Sequence, residues 1–157
     1  SRFSMKDMLE TVYTAMKLDA KNNGHTLSLV FQGEMPEMMG DRERLEQVVV
    51  NIISNAIKYT PSGGHIDMLA SRRDERHVML RIQDDGIGIP TEDRPRIFER
   101  FYRVDKARSR QSGGTGLGLS IAKEIVARHE GVLELVDREG PGLSVRMELK
   151  IEGPRHE

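Results

Sequence analysis

Ser112-Gly-Gly-Thr-Gly-Leu-Gly-Leu-Ser120 places four glycines within six positions, and the helix-compatible run Ser120-Ile-Ala-Lys-Glu-Ile-Val-Ala-Arg128 follows at once. Glycine at that density is costly to order and needs a reason in backbone geometry. One reason is a turn whose N–H groups face an anion at a helix N-terminus, where the helix dipole also favours negative charge. The other is a mobile hinge. Gly113 and Gly118 have the spacing of a P-loop, but Leu119 stands where that motif needs Lys. The strand-then-GxGxxG dinucleotide pattern is absent too. The loop alone therefore points to phosphate without naming its carrier.

Outward from this loop, the chain reads as one domain of 157 residues, large enough for a real core. Lys and Arg number 24 against 25 Asp and Glu, a net charge of −1 that argues against a general nucleic-acid binder. There is no cysteine, hence no disulfide and no thiolate zinc site. No apolar run approaches membrane-spanning length, and no signal peptide is visible. The start at Ser1 suggests a fragment or a processed product.

Apolar periodicity orders the elements. Ser4 and Asp7 have the spacing of a capping box, ahead of Met5, Met8, Leu9, Val12 and Met16 at helical intervals. Gly24 closes that helix. Leu27, Leu29 and Phe31 alternate as a strand. Asp41 is the expected N-cap of a second helix with Leu45, Val48, Val49, Ile52, Ile53 and Ala56 on its apolar face. Ile66/Met68/Ala70 and Val78/Leu80/Ile82 read as a hairpin. A short helix is expected from Thr91 to Arg100 and a third long one from Gly116 to Glu130, with Gly131 beyond it. Val132–Val136 and Leu143–Leu149 form a last hairpin around Gly140-Pro-Gly142. Three long helices and about five strands, interleaved, predict an α+β two-layer sandwich over residues 1–152, followed by a disordered tail at 153–157.

Three further groups carry chemistry. Asn51, Asn55 and Lys58 share one face of the second helix, although Asn is a poor helix former. Mg²⁺ bound largely through phosphates needs only one or two protein oxygens, and a Lys can supply charge to the phosphate. The alternative is that both amides are solvated or cap local backbone. Asp84-Asp-Gly-Ile-Gly-Ile-Pro90 follows a strand; Gly86 and Gly88 permit close backbone approach, and Asp85 offers an acceptor that could read the exocyclic amine of adenine. The alternative is a tight turn with an exposed Asp. The polar segment Tyr102–Ser112 carries Arg103, Lys106, Arg108 and Arg110, cations suited either to a solvated surface or to a lid that closes over phosphate.

Taken together, four blocks resemble, in order and spacing, the ATP-binding catalytic domain of sensor histidine kinases. The N box resembles Asp41-Arg-Glu-Arg-Leu-Glu-Gln-Val-Val-Val-Asn51 with its continuation through Asn55 and Lys58 to Pro61. The G1 box resembles Asp85-Gly-Ile-Gly88, the F box Ile97-Phe98-Glu-Arg-Phe101-Tyr102-Arg103, and the G2 box Gly114-Thr-Gly116-Leu-Gly118-Leu. The likeness spans about residues 5–150. It implies the Bergerat ATP-binding sandwich shared with gyrase, the heat-shock chaperone ATPases and the mismatch-repair ATPases.

The resemblance also implies roles. Asn55 would ligate Mg²⁺, Asn51 would line the phosphate pocket, and Lys58 would reach toward phosphate, beside the Arg103, Arg108 and Arg110 cations that the lid reading assigns to the transferred group. Tyr59, Gly86, Gly88 and Ile89 would border the nucleotide, Asp85 would accept from the adenine amine, and Phe98 and Phe101 would anchor the lid. Gly114, Gly116 and Gly118, with Thr115, Leu117 and Leu119, would face the phosphates. In hydrolysing relatives a water-activating Glu precedes the metal Asn by four residues; here that residue is Asn51, which cannot act as a base. That suits phosphoryl transfer to a histidine brought from elsewhere. None of His25, His65, His77, His129 and His156 has the Glu/Asp-then-Pro setting of the family's phosphoacceptor, so the dimerisation and phosphoacceptor domain is expected to be absent, and His129 to be structural. The expected setting is a monomeric cytoplasmic domain of a membrane-anchored sensor kinase, serving a response regulator indirectly. Competing readings are a serine-kinase or anti-sigma-type relative, an interaction module without catalysis, and an ATPase, which Asn51 disfavours.

Overall fold

Each of the first two long helices starts where the sequence supplies an acceptor for free backbone N–H groups. In α1 (Met5–Asn22), Ser4 holds an extended backbone and its hydroxyl accepts from the Asp7 N–H at 3.1 Å. In α2 (Arg42–Tyr59), the Asp41 carboxylate accepts from the Arg44 N–H at 3.2 Å. The third helix, α3, runs Gly118–Arg128. It stops two residues earlier than the sequence predicts, and its predicted start at Gly116 lies outside the described residues. His129 and Glu130 form the turn instead, and the Gly131 N–H returns to the Val126 carbonyl at 2.9 Å. The computed structural model describes residues 1–60, 63–86, 118–136 and 142–152. The expected helix at 91–100, the lid at 102–112 and the tail at 153–157 lie outside them.

The strands are β1 (Arg2–Ser4), β2 (Thr26–Gln32), β3 (Glu37–Met39), β4 (His65–Arg72), β5 (His77–Asp84), β6 (Val132–Val136) and β7 (Leu143–Lys150). Five of them form one sheet in the order β2-β4-β5-β7-β6. β2 pairs with β4 in parallel and every other pairing in this sheet is antiparallel, so the sheet is mixed. Register follows apolar alternation: Met68 faces Ile82, Ala70 faces Leu80, Leu80 faces Met147 and Ile82 faces Val145. These residues are buried under the helices. α1 lies along β2, α2 over β4 and β5, and α3 against β6. Met5, Met8, Leu9, Leu45, Ile53, Ile66, Met68 and Leu80 are fully enclosed between the layers. This is the α+β sandwich.

One element has no counterpart in the sequence reading. β1 and β3 pair antiparallel, Phe3 opposite Met38, and both side chains enter the core. Three residues are too few to show a period, so only the tertiary contact reveals these strands. No helix among the described residues is long and apolar enough to cross a membrane.

Candidate nucleotide site

Val48 and Ile52 of α2 are buried against the sheet and α3, and the helical period then leaves Asn51, Asn55 and Lys58 on the flank, half-buried. The Asn55 side-chain amide has no hydrogen-bond partner among the described residues. A half-buried amide with an uncommitted oxygen is a ready ligand. Tyr59 is the last residue of the same helix.

α3 supplies the second wall. His129, one residue past its end, touches the backbone of Asp41, one residue ahead of α2. The two packed helices therefore run antiparallel. At 1.5 Å per residue, α3 is roughly 16 Å long, which brings its first turn level with about the middle of α2, where the Asn51–Asn55 turn lies. Gly118 and Leu119 stand at the start of α3, where the helix dipole favours negative charge. Gly88, Ile89, Phe98, Arg103, Arg108, Arg110, Gly114, Thr115, Gly116 and Leu117 lie outside the described residues.

The third wall is the end of β5, and here the structure departs from the sequence reading. Asp85, expected to face the base, turns away from the helix-covered side. Its Oδ1 accepts from the His65 backbone N–H at 2.7 Å and its Oδ2 pairs with His65 Nδ1 at 3.0 Å. Asp84 points inward instead and is 5% exposed, in line with Val78, Leu80 and Ile82. Strand alternation is the reason: inward positions recur every second residue, and the row that ends at Ile82 in the apolar pattern continues to Asp84. One Asp84 oxygen accepts from the Gly86 N–H at 2.9 Å. In register it lies opposite Ile66 and Leu143, at the end of an apolar row.

The Asp85–His65 contact has a pH signature. Asp85 is held below the ordinary aspartate range, first by the His65 backbone N–H; burial opposes this, and the His65 ring adds to it. A carboxyl lowered on folding adds stability that is complete above its unfolded value and is lost as pH falls through the native one. The side chain is 30% exposed, so the contribution is small, below about 1 kcal/mol. The parent chain's urea midpoint should therefore fall more on acidification through the aspartate range than that of Asp85→Asn. Parallel curves for the two would remove the clasp from the account.

Gly142 holds this corner together and was not identified as a site residue from sequence. Its φ is +109°, and a Cβ there would overlap the Asp84 carbonyl and stand 2.8 Å from Asp85 Cα. β7 thus starts hard against the backbone that aims Asp84. Gly142→Ala is expected to cost about 2–3 kcal/mol through strain and displaced backbone. Thermal unfolding checks this, and an unchanged midpoint would contradict it.

The described residues thus offer a half-buried amide pair with a lysine on α2, a helix start at α3 and a buried carboxylate at the end of β5. Amides, cation and helix end suit a phosphate chain; the carboxylate suits a hydrogen-bond donor such as an amine. Among the described residues no cluster of His, Cys, Asp and Glu could hold a metal ion by itself. An uncharged amide oxygen such as that of Asn55 is of the kind that suits Mg²⁺ carried mainly by phosphates. The family model for histidine kinase-, DNA gyrase B- and HSP90-like ATPases matches residues 40–153. The chain belongs to this ATPase family. The domain is 47% identical over 110 residues to the sensor histidine kinase WalK of Bacillus subtilis (strain 168), which covers 69% of the chain and only 18% of WalK. It superposes on a mycobacterial sensor histidine kinase, MprB, with a TM-score of 0.85 and 28% identity, covering 98% of this chain and all of that one. The full-length kinase ShkA, solved in complex with AMPPNP, matches at a TM-score of 0.83 and 26% identity, over 99% of this chain and 32% of ShkA.

Proposed function

We propose that this ATPase domain binds ATP with Mg²⁺ and donates the γ-phosphoryl group to a histidine on a separate helical dimerisation domain. Asn51 carries the reading. It occupies the place on α2 from which a carboxylate would activate water, and an amide removes no proton. A site with phosphate ligands and an amide in place of that base suits delivery of phosphate to a nucleophile that arrives ready. A neutral imidazole is such a nucleophile. As its nitrogen bonds to the γ-phosphorus, the bond to the bridging oxygen breaks and ADP leaves with the electron pair. Positioning and charge stabilisation supply most of the rate in such transfers.

On this reading Asp84, rather than Asp85, accepts from the adenine amine; its burial at the end of β5 supports that role. Asn51 and Lys58 orient the phosphates, and Asn55 ligates Mg²⁺, which when bound neutralises phosphate charge and aligns the transferred group. The N-terminal turn of α3 cradles phosphate oxygens, and Arg103, Arg108 and Arg110 close over them. The domain works as a monomer on the cytoplasmic side of a membrane-anchored kinase, and a response regulator receives the phosphoryl group afterwards.

Labelled ATP tests the transfer. The isolated chain should stay unlabelled, and adding the dimerisation domain of the same kinase should give an acid-labile, base-stable label on that domain. Label on the isolated chain, or free phosphate released at a rate that matches transfer, would overturn the proposal.

A further inference from the structure

Two buried histidines grip the two ends of α2. At its start, His129 Nε2 accepts from the Asp41 N–H at 3.0 Å, while Nδ1 donates to the Ile125 carbonyl at 2.8 Å. At its end, His25 Nε2 donates to the Thr60 carbonyl at 2.6 Å. The partners decide the tautomers: the proton sits on Nδ1 of His129 and on Nε2 of His25. The rings are 9% and 7% exposed respectively. Each comes from the C-terminal turn of another helix, His25 just after Gly24 at the close of α1 and His129 just after α3. Neither lies in the amide, lysine or carboxylate set.

The grip is close at both ends. A Cβ on Gly40 would stand 2.9 Å from His129 Cδ2 and 3.1 Å from Nε2, so the ring lies directly on the residue before the N-cap. At the other end the Gly63 N–H donates to the Gly24 carbonyl at 2.7 Å and the Thr26 N–H to the Gly64 carbonyl at 3.1 Å, beside the His25 contact. A helix of 18 residues is a stiff rod of roughly 27 Å. Its middle rests on apolar side chains, which resist separation but are non-directional. Directional hydrogen bonds at its ends set its tilt and axial position. Asn51, Asn55 and Lys58 all ride on that rod.

We propose that His25 and His129 are positioning residues for the phosphate half of the nucleotide site, fixing α2 so that its amide face meets the N-terminus of α3. This rests on the ATP-binding reading above. The base is held from the sheet, by Asp84, so a tilt of α2 should weaken phosphate contacts and leave the base contacts intact. A merely structural histidine would lower stability without that split.

Binding titrations of ATP–Mg²⁺ and of adenosine, run where circular dichroism shows each variant fully folded, test the idea. His129→Ala and His25→Ala should each weaken ATP–Mg²⁺ binding about tenfold, the scale at which residues behind a ligand shell act. Adenosine binding should be unchanged. His129→Gln, whose amide oxygen can accept from the Asp41 N–H, should recover most of the loss. Should His129→Ala not fold, Gly40→Ala, which pushes the ring without deleting it, is read by the same criterion. Folded variants that bind ATP as the parent does, or that lose ATP and adenosine equally, would overturn the proposal. A parent chain that binds ATP–Mg²⁺, and loses it on Asn55→Ala, keeps the functional reading standing whatever the histidine variants do. A parent that binds no ATP would overturn both.

Discussion

Asp84→Asn is expected to weaken ATP binding by about 100-fold, and Asp85→Asn by less than about threefold. The change is isosteric in both cases, so each variant tests charge and acceptor capacity rather than volume. At Asp84 the remaining amide oxygen can still accept from the Gly86 N–H, which keeps the turn intact. The proposed bond from the adenine amine to a buried carboxylate is lost, and an NH₂ group faces the amine instead. A hydrogen bond to a charged group contributes about 1.5–3 kcal/mol, and each 1.4 kcal/mol is a factor of ten. At Asp85 the carboxylate serves His65, outside the helix-covered face, and its removal costs only a partly exposed clasp. Calorimetric titration with ATP–Mg²⁺ separates the two. A large loss at Asp85 with none at Asp84 would reverse the assignment of the base-reading group.

Asn55→Ala should weaken ATP binding by 10- to 100-fold in the presence of Mg²⁺, the range over which outer partners of a metal site act and a floor for a direct protein ligand. In excess chelator the variant and the parent should converge. The half-buried Asn55 amide has no partner among the described residues, so the substitution breaks no internal hydrogen bond there. A loss of affinity therefore reports the ligand rather than the fold. A variant that loses affinity equally with and without Mg²⁺ would assign Asn55 to phosphate contact instead of metal.

Much of the architecture was legible because it repeats. α2 shows six apolar residues at helical spacing, and β4 and β5 alternate cleanly, so helix face, strand face and sheet layer follow from period alone. The β1–β3 pair was not legible, because three residues carry no period. The site divides the same way. Asn51, Asn55 and Lys58 were visible as one face, since their spacing is local. That Asp84 rather than Asp85 is the buried carboxylate was not legible, because the apolar alternation ends at Ile82 although the period itself continues inward to Asp84. Gly142 reads as an ordinary turn glycine in sequence; only the pairing of β7 with β5 brings it against Asp84. His129 was legible as a helix-end residue, but its partner lies 88 positions away. Periodicity reports what is near in sequence and is silent on such contacts.

The central claim is that the amide face of α2, the start of α3 and Asp84 form one ATP site. A crystal structure of the chain grown with AMPPNP and Mg²⁺ tests it most directly. The account predicts the adenine amine within hydrogen-bond distance of the Asp84 carboxylate, the metal on Asn55, and the phosphates between the Asn51–Lys58 face and Gly118. A nucleotide whose base is held by Asp85, or whose phosphates lie away from α2, would contradict it.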